Sequence, residues 1–230
     1  MRKSLTCLAA AALLTACGPA DQPAEAPVDI EAEAQRIAKS SIIVDTHIDV
    51  PYRLAAYPQD ISQATDSGDF DYPRAVAGGL NAPFMSIYTP AEHEALGKSR
   101  ETAEVLIDSV EAIVAASPDK FAVATSVADV RDHFAAGLMS LPLGMENGSP
   151  IDGDIENLRH FFARGIRYVS LCHGSSNHLS DSSYDETRQW NGISDFGAEV
   201  IREMNTLGIM VDVSHVSDEA FWEIMETTET

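Results

Sequence analysis

Short apolar runs recur along this chain, helix-like segments separate them, and chemistry-bearing side chains follow them directly. No other feature narrows the fold as much. The runs expected as strands cover residues 42–45, 80–88, 121–124, 139–145, 166–171 and 209–213. Helical spacing fills residues 99–116, where Val105, Leu106, Ile113 and Val114 stand among acids, and residues 155–164 and 194–207, the last stopped by Gly208. Ser126 and Asp129 have the spacing of a capping box and open a further helix to about residue 136. Regular alternation of strand and helix argues for a parallel sheet, either an open doubly wound sheet or a (β/α)8 barrel.

The polar residues favour the barrel. His47 and Asp49 follow "IIVD", Glu146 follows "LMSLPLGM", His173 follows "RYVSLC" and His215 follows "IMVDVS". All stand at the C-terminal ends of expected strands, which a (β/α)8 barrel brings together at one mouth. The place of a glycine-rich phosphate loop after the first strand is taken by "DTHIDVP". That argues against a dinucleotide fold.

Each residue also has a plainer reading. Side chains two apart share one face of a strand, so His47 and Asp49 suit a pair of ligands. Asp45 is equally a buried carboxylate supporting them. Glu146 before Asn147-Gly148 reads as a turn residue, and His173 as a core histidine. Their joint placement makes a nitrogen and oxygen donor set suited to zinc or a similar divalent ion, with Glu146 able to bridge two ions. His93, His133 and His160 sit in surface-like or amphipathic segments, and residues 66–71 read as a polar loop. A serine-hydrolase elbow is absent.

The 230 residues carry a formal charge of −21, which argues against a nucleic-acid partner in the absence of a basic stripe. Residues 1–16 have the layout of a signal peptide: Met1-Arg2-Lys3, an apolar stretch to Leu14, then "LTAC". That tetrad resembles a bacterial lipobox, with Cys17 receiving lipid; the alternative is a secretory signal cleaved near Ala20. Residues 17–30, rich in Pro, Ala and acid, read as a tether, and residues 31–230 as the N-terminal part of a barrel domain. Gly18 after Cys17 leans towards an outer-membrane anchor on the periplasmic side of a bacterial envelope. Cys172 is left without an internal partner.

From Met145 the chain reads "MENGSPIDGDIENLRHFFARGIRYVSLCH". This segment resembles the membrane dipeptidase (renal dipeptidase) family of zinc peptidases, at Glu146, Gly148, Ile151, Leu158, Phe162, Gly165, Arg167, Tyr168 and His173. Asn147 replaces a usual Gly, Phe162 a common Tyr and Cys172 a common Thr. "VDTHIDVP", "GGLNAPFMSIY" and "FGAEVIREMNTLGIMVDVSHVSD" are similar to the family's first strand, second strand, and a later helix and strand.

The resemblance implies a (β/α)8 TIM barrel with two Zn2+ ions. His47 and Asp49 would bind one ion, Glu146 would bridge both, and His215 would bind the second. His173 would contact the scissile carbonyl of a dipeptide, including one with a C-terminal D-residue, while hydroxide formed between the metals attacks it. The family's second histidine for the second zinc falls beyond Thr230. An incomplete barrel of five or six strands, weak or inactive as a catalyst, is therefore expected. A membrane contact through lipid follows from Cys17, and a homodimer is among the assemblies allowed. The rivals are another amidohydrolase-type metal hydrolase, disfavoured by HxD in place of HxH, and a non-catalytic lipoprotein that binds peptide or metal.

Overall fold

A computed structural model describes residues 28–229. The signal segment, Cys17 and the tether up to residue 27 lie outside the described residues. Asp29 caps a helix, Ile30–Ser40, by accepting the Ala32 N–H at 3.1 Å, so the last residue assigned to the tether is already helical.

Among the described residues seven strands follow: β1 (Ile43–Ile48), β2 (Leu80–Tyr88), β3 (Phe121–Val123), β4 (Met139–Leu141), β5 (Leu143–Glu146), β6 (Ile166–Ser170) and β7 (Met210–Asp212). Five of them form one parallel sheet in the order β1-β2-β5-β6-β7. The sheet curls into a half-barrel, consistent with an incomplete TIM barrel. Helices pack against it, and β5 and β6 are buried along almost their whole length, as a parallel sheet requires.

One expected strand is two. Residues 139–145 divide at Pro142, which has no N–H to give a ladder. β4 pairs with β3 in a separate two-stranded parallel sheet, while β5 enters the main sheet between β2 and β6. Pro142 still contributes its carbonyl, which accepts the Met85 N–H at 2.8 Å.

The helix Ser99–Ala116 packs through Ala103, Leu106, Ile107 and Val110, a spacing of three and four residues. Val105, expected on that face, is exposed. Ser126 caps the helix Val127–Ala136 by accepting the Asp129 N–H at 3.1 Å. The Asp129 carboxylate reaches back to the Thr125 N–H at 2.8 Å, one residue earlier than a capping box prescribes. Gly208 stops the helix Asp195–Leu207 with φ 78°, as its sequence position predicts. Phe121, Leu158, Phe161 and Ile166 are among the fully buried side chains between helices and sheet.

Candidate metal centre

The five residues singled out at strand ends converge at one edge of the curled sheet. β1 stops at Ile48, and Asp49 is already the N-cap of the helix Val50–Ala56, with φ −85° and ψ 30°. Pro51 in the first turn suits that immediate start. His47 Nε2 nevertheless lies 3.4 Å from Asp49 Oδ1, so a turn brings the pair together rather than strict strand alternation. Asp45 supports the turn as its alternative reading had it, accepting the His47 N–H at 3.0 Å, but it is exposed and not buried. Asp212 does the same before His215, accepting the Ser214 N–H at 3.1 Å. Both aspartates turn the backbone just ahead of a histidine.

Glu146 ends β5, buried to 6% exposure, and its two oxygens face different partners. Oε2 lies 3.3 Å from His47 Nε2 and accepts the Ser86 hydroxyl at 3.2 Å. Oε1 lies 3.1 Å from His215 Nε2 and 3.6 Å from His173 Nε2. The next residue, Asn147, adopts φ 73°, which explains why Gly is usual there and why Asn is the tolerated substitute. Asn147 is buried and pinned on three sides. Its Nδ2 donates to Thr89 O at 2.8 Å, and its Oδ1 accepts from Asn177 Nδ2 at 2.9 Å and Ser149 N at 3.2 Å.

His215 also has positive φ, 69°, a conformation costly for a side chain of its size. That turn aims its imidazole back at Glu146. His173 follows β6 and packs edge-on against Tyr88 and His215, with ring centroids 4.9 Å and 4.4 Å away. The long segment after His173 is organised by buried Asp181, which accepts the backbone N–H groups of Gln189, Trp190 and Gly192. It carries Tyr184 to within 5.8 Å of the His215 ring centroid.

Protonation follows the same geometry. Hydrogen bonds to Asp49 and Glu146 raise the His47 pKa to about 10. The same contact lowers Asp49. Burial pushes Glu146 up, but the His47 hydrogen bond and nearby positive charge outweigh it and leave the carboxyl below its usual value. Burial lowers His173, assisted by His215 and His47. Burial also raises the Cys172 thiol to about 12, which leaves that lone cysteine unreactive.

Two triads have ligand atoms close enough to hold a cation: His47, Asp49 and Glu146, and Glu146, His173 and His215. A tetrahedral zinc with ligand distances near 2.1 Å has ligand atoms about 3.4 Å apart. The separations of 3.3 Å and 3.4 Å around His47 match that edge, so the donor set fits a zinc-like ion. Glu146 belongs to both triads through different oxygens, which is the arrangement of a bridging carboxylate. His173, expected as a substrate contact, is itself a member of the second triad.

Sequence reasoning assigned no role to Ser86 or Tyr168. Ser86 sits two residues before Tyr88 and faces Glu146. Tyr168 lies inside the curl, 7% exposed, with its hydroxyl 2.7 Å from His47 Nδ1. Burial, with the carboxylates of Asp212, Glu146, Asp49 and Asp45, raises its pKa and keeps the phenol neutral. Its sequence signal is slight: Tyr168 alternates with Ile166 and Ser170 on one side of β6, an aromatic with a polar tip on a strand that is otherwise buried. The other four histidines are structural: His93 bonds Thr102, His133 bonds Ser140, His160 bonds Glu104 and His178 bonds Glu94.

Residues 31–230 match the profile of the membrane dipeptidase family, peptidase family M19. The dipeptidase aclJ of Aspergillus oryzae is 35% identical over 157 residues, 65% of this chain and 37% of that protein. The dipeptidase tcpJ of Claviceps purpurea is 30% identical over 200 residues, 80% of this chain and 46% of that protein. A probable dipeptidase of Pseudomonas aeruginosa, PvdM, superposes with TM-score 0.79 at 21% identity, covering 86% of this chain and 53% of that one. A metallopeptidase of Rhodobacter sphaeroides, liganded with a phosphinate mimic of the dipeptide L-Ala-D-Ala, superposes with TM-score 0.73 at 22% identity. It covers 82% of this chain and 63% of that one. The chain thus spans less than half the length of these curated relatives and rather more than half of these solved structures.

Proposed function

Because the chain belongs to the membrane dipeptidase family, we propose that it carries metal-binding residues of a zinc-dependent dipeptidase. The observation that bears most of this reading is Glu146, buried, with one oxygen turned to the His47–Asp49 pair and the other to His215 and His173. His47 and Asp49 would hold one ion with Glu146 Oε2, and His215 would join Glu146 Oε1 at the second. Zinc there would polarise a peptide carbonyl and lower the pKa of water towards neutrality.

The chain's own residues set the rest. Ser86 donates to Glu146 and fixes the carboxylate plane. Burial favours neutral His173, whose remaining N–H can donate to a carbonyl oxygen as negative charge develops on it. Tyr88 packs against that ring and holds its orientation.

The substrates proposed are dipeptides, those with a C-terminal D-residue included. The phosphinate mimic of L-Ala-D-Ala bound by the Rhodobacter sphaeroides relative supports that breadth. Among the described residues no helix is long and apolar enough to cross a membrane. Attachment through a lipidated Cys17, on the periplasmic face of the outer membrane, is proposed instead.

Hydrolysis of L-Ala-L-Ala and L-Ala-D-Ala, followed with and without chelator, tests the function. Weak activity, lost to chelation and restored by zinc, is expected; hydrolysis indifferent to chelator refutes it. Incorporation of labelled palmitate, abolished by Cys17→Ala, tests the anchor.

A further inference from the structure

We propose that Tyr168 is a positioning residue for metal binding: its phenol oxygen accepts the Nδ1 proton of His47 and so presents Nε2 to the ion. The inference rests on the metal reading above. Its observations are the 2.7 Å contact between Tyr168 Oη and His47 Nδ1, and the position of the opposite ring nitrogen. Nε2 lies 3.4 Å from Asp49 and 3.3 Å from Glu146.

An imidazole binds metal through one nitrogen, and the hydrogen bond made by the other decides which one is free. Two arrangements of the neutral ring, the form that binds metal, satisfy the Tyr168 contact. If the phenol donated to Nδ1, the ring proton would sit on Nε2, pointing at the two carboxylates and filling the place of the ion. If Nδ1–H donates to the phenol, the Nε2 lone pair faces that place. Only the second is compatible with a metal held by His47, Asp49 and Glu146.

The fold invests in this ring. Tyr168 on β6 crosses the inner face of the sheet, and Gly144 on the neighbouring β5 makes room for it. A Cβ at position 144 would stand 1.9 Å from Tyr168 Cζ, a separation that no side chain tolerates. Phe84 closes the other flank, its ring centroid 5.4 Å away. The phenol is therefore fixed by β2 and β5 before any ion arrives, and a Phe would fill the same volume without the oxygen.

Zinc titration of the full chain against a chromophoric chelator, parent beside Tyr168→Phe, tests the role. The variant is expected to bind about 10–100-fold more weakly, while Phe84→Leu, which thins the packing but keeps the hydroxyl, leaves affinity within about threefold of the parent. Equal affinity for parent and Tyr168→Phe overturns the inference and leaves the metal reading standing. A parent that binds no zinc overturns both. Should Tyr168→Phe fail to fold, ring nitrogen-15 spectra of the zinc-loaded parent, with His47 assigned through His47→Asn, give the answer. Metal on Nε2 with a protonated Nδ1 supports the role; metal on Nδ1 overturns it.

Discussion

Stripped of metal, the His47 triad should hold a proton where the ion would sit, and that proton should make stability fall as pH rises. The His47 pKa climbs from an ordinary 6.5 to about 10 on folding because Asp49 and Glu146 accept from its ring. A group raised on folding contributes stability that is complete below the unfolded pKa and lost as pH passes the folded one. The window is therefore pH 6.5 to 10. At about 1.4 kcal/mol per unit the unscreened effect would be roughly 5 kcal/mol. The ring side chain is 33% exposed and that of Asp49 60%, so solvent screening reduces it to about 1–2 kcal/mol. For a chain of this size that is a fall in Tm of about 2–8 °C.

Calorimetric melts in excess chelator between pH 7 and 10 measure it. The slope, not the level, is diagnostic, and Asp49→Asn should flatten it because Asp49 is the stronger of the two acceptors. Zinc must displace the same proton, so its apparent affinity for this triad should rise about tenfold per pH unit over the same range. Parallel melting curves for parent and Asp49→Asn, or a zinc affinity indifferent to pH, would refute the reasoning.

Glu146→Gln removes a ligand from both triads and should weaken zinc retention by more than about 100-fold; elemental analysis after dialysis that finds parent-like zinc would contradict it. Phe161→Ala empties a fully buried site between helix and sheet and should cost about 3–5 kcal/mol in urea titration; a loss below 1 kcal/mol would show that the core collapses around it. At Asn147, Gly and Ala both lose the amide bonds, but only Ala must bear φ 73°. Asn147→Ala should therefore be less stable than Asn147→Gly by about 1–2 kcal/mol, and the reverse order in thermal melts would remove the conformational explanation.

Much of the site was legible in the sequence because strand ends in a parallel sheet share a direction. His47, Glu146, His173 and His215 each follow an apolar run, and that alone placed them together. Asp49 stands beside His47 as expected, but not through strand alternation: the strand ends before it, and a helix N-cap sets its aim. The division at Pro142 escaped because seven apolar residues look continuous, whereas the missing N–H decides which sheet each half joins. The core face of the helix Ser99–Ala116 was misplaced since Val105 is apolar and Ala103 only small; burial selected the small one. Ser86 and Tyr168 act through other side chains, across strands far apart in the chain, and local spacing carries no record of that.

The pinning of Asn147 also bears on how the protein ages. Asn followed by Gly is the dipeptide most prone to lose its amide, through attack of the next backbone nitrogen on the side-chain carbonyl, and such asparagines are thermolabile. Here the Asn147 amide is held at both ends, and the Gly148 N–H is engaged with Leu171 O at 3.3 Å. The nucleophile and its target are both occupied, so the folded chain should keep this amide far longer than its unfolded form. Peptide mapping of protein stored with and without denaturant would show it. If deamidation at 147 ran equally fast in both, the hydrogen bonds would offer no protection. If it ran only in the unfolded chain, each unfolding event would become a chance to place a permanent negative charge beside Glu146, and the metal centre would record its own thermal history.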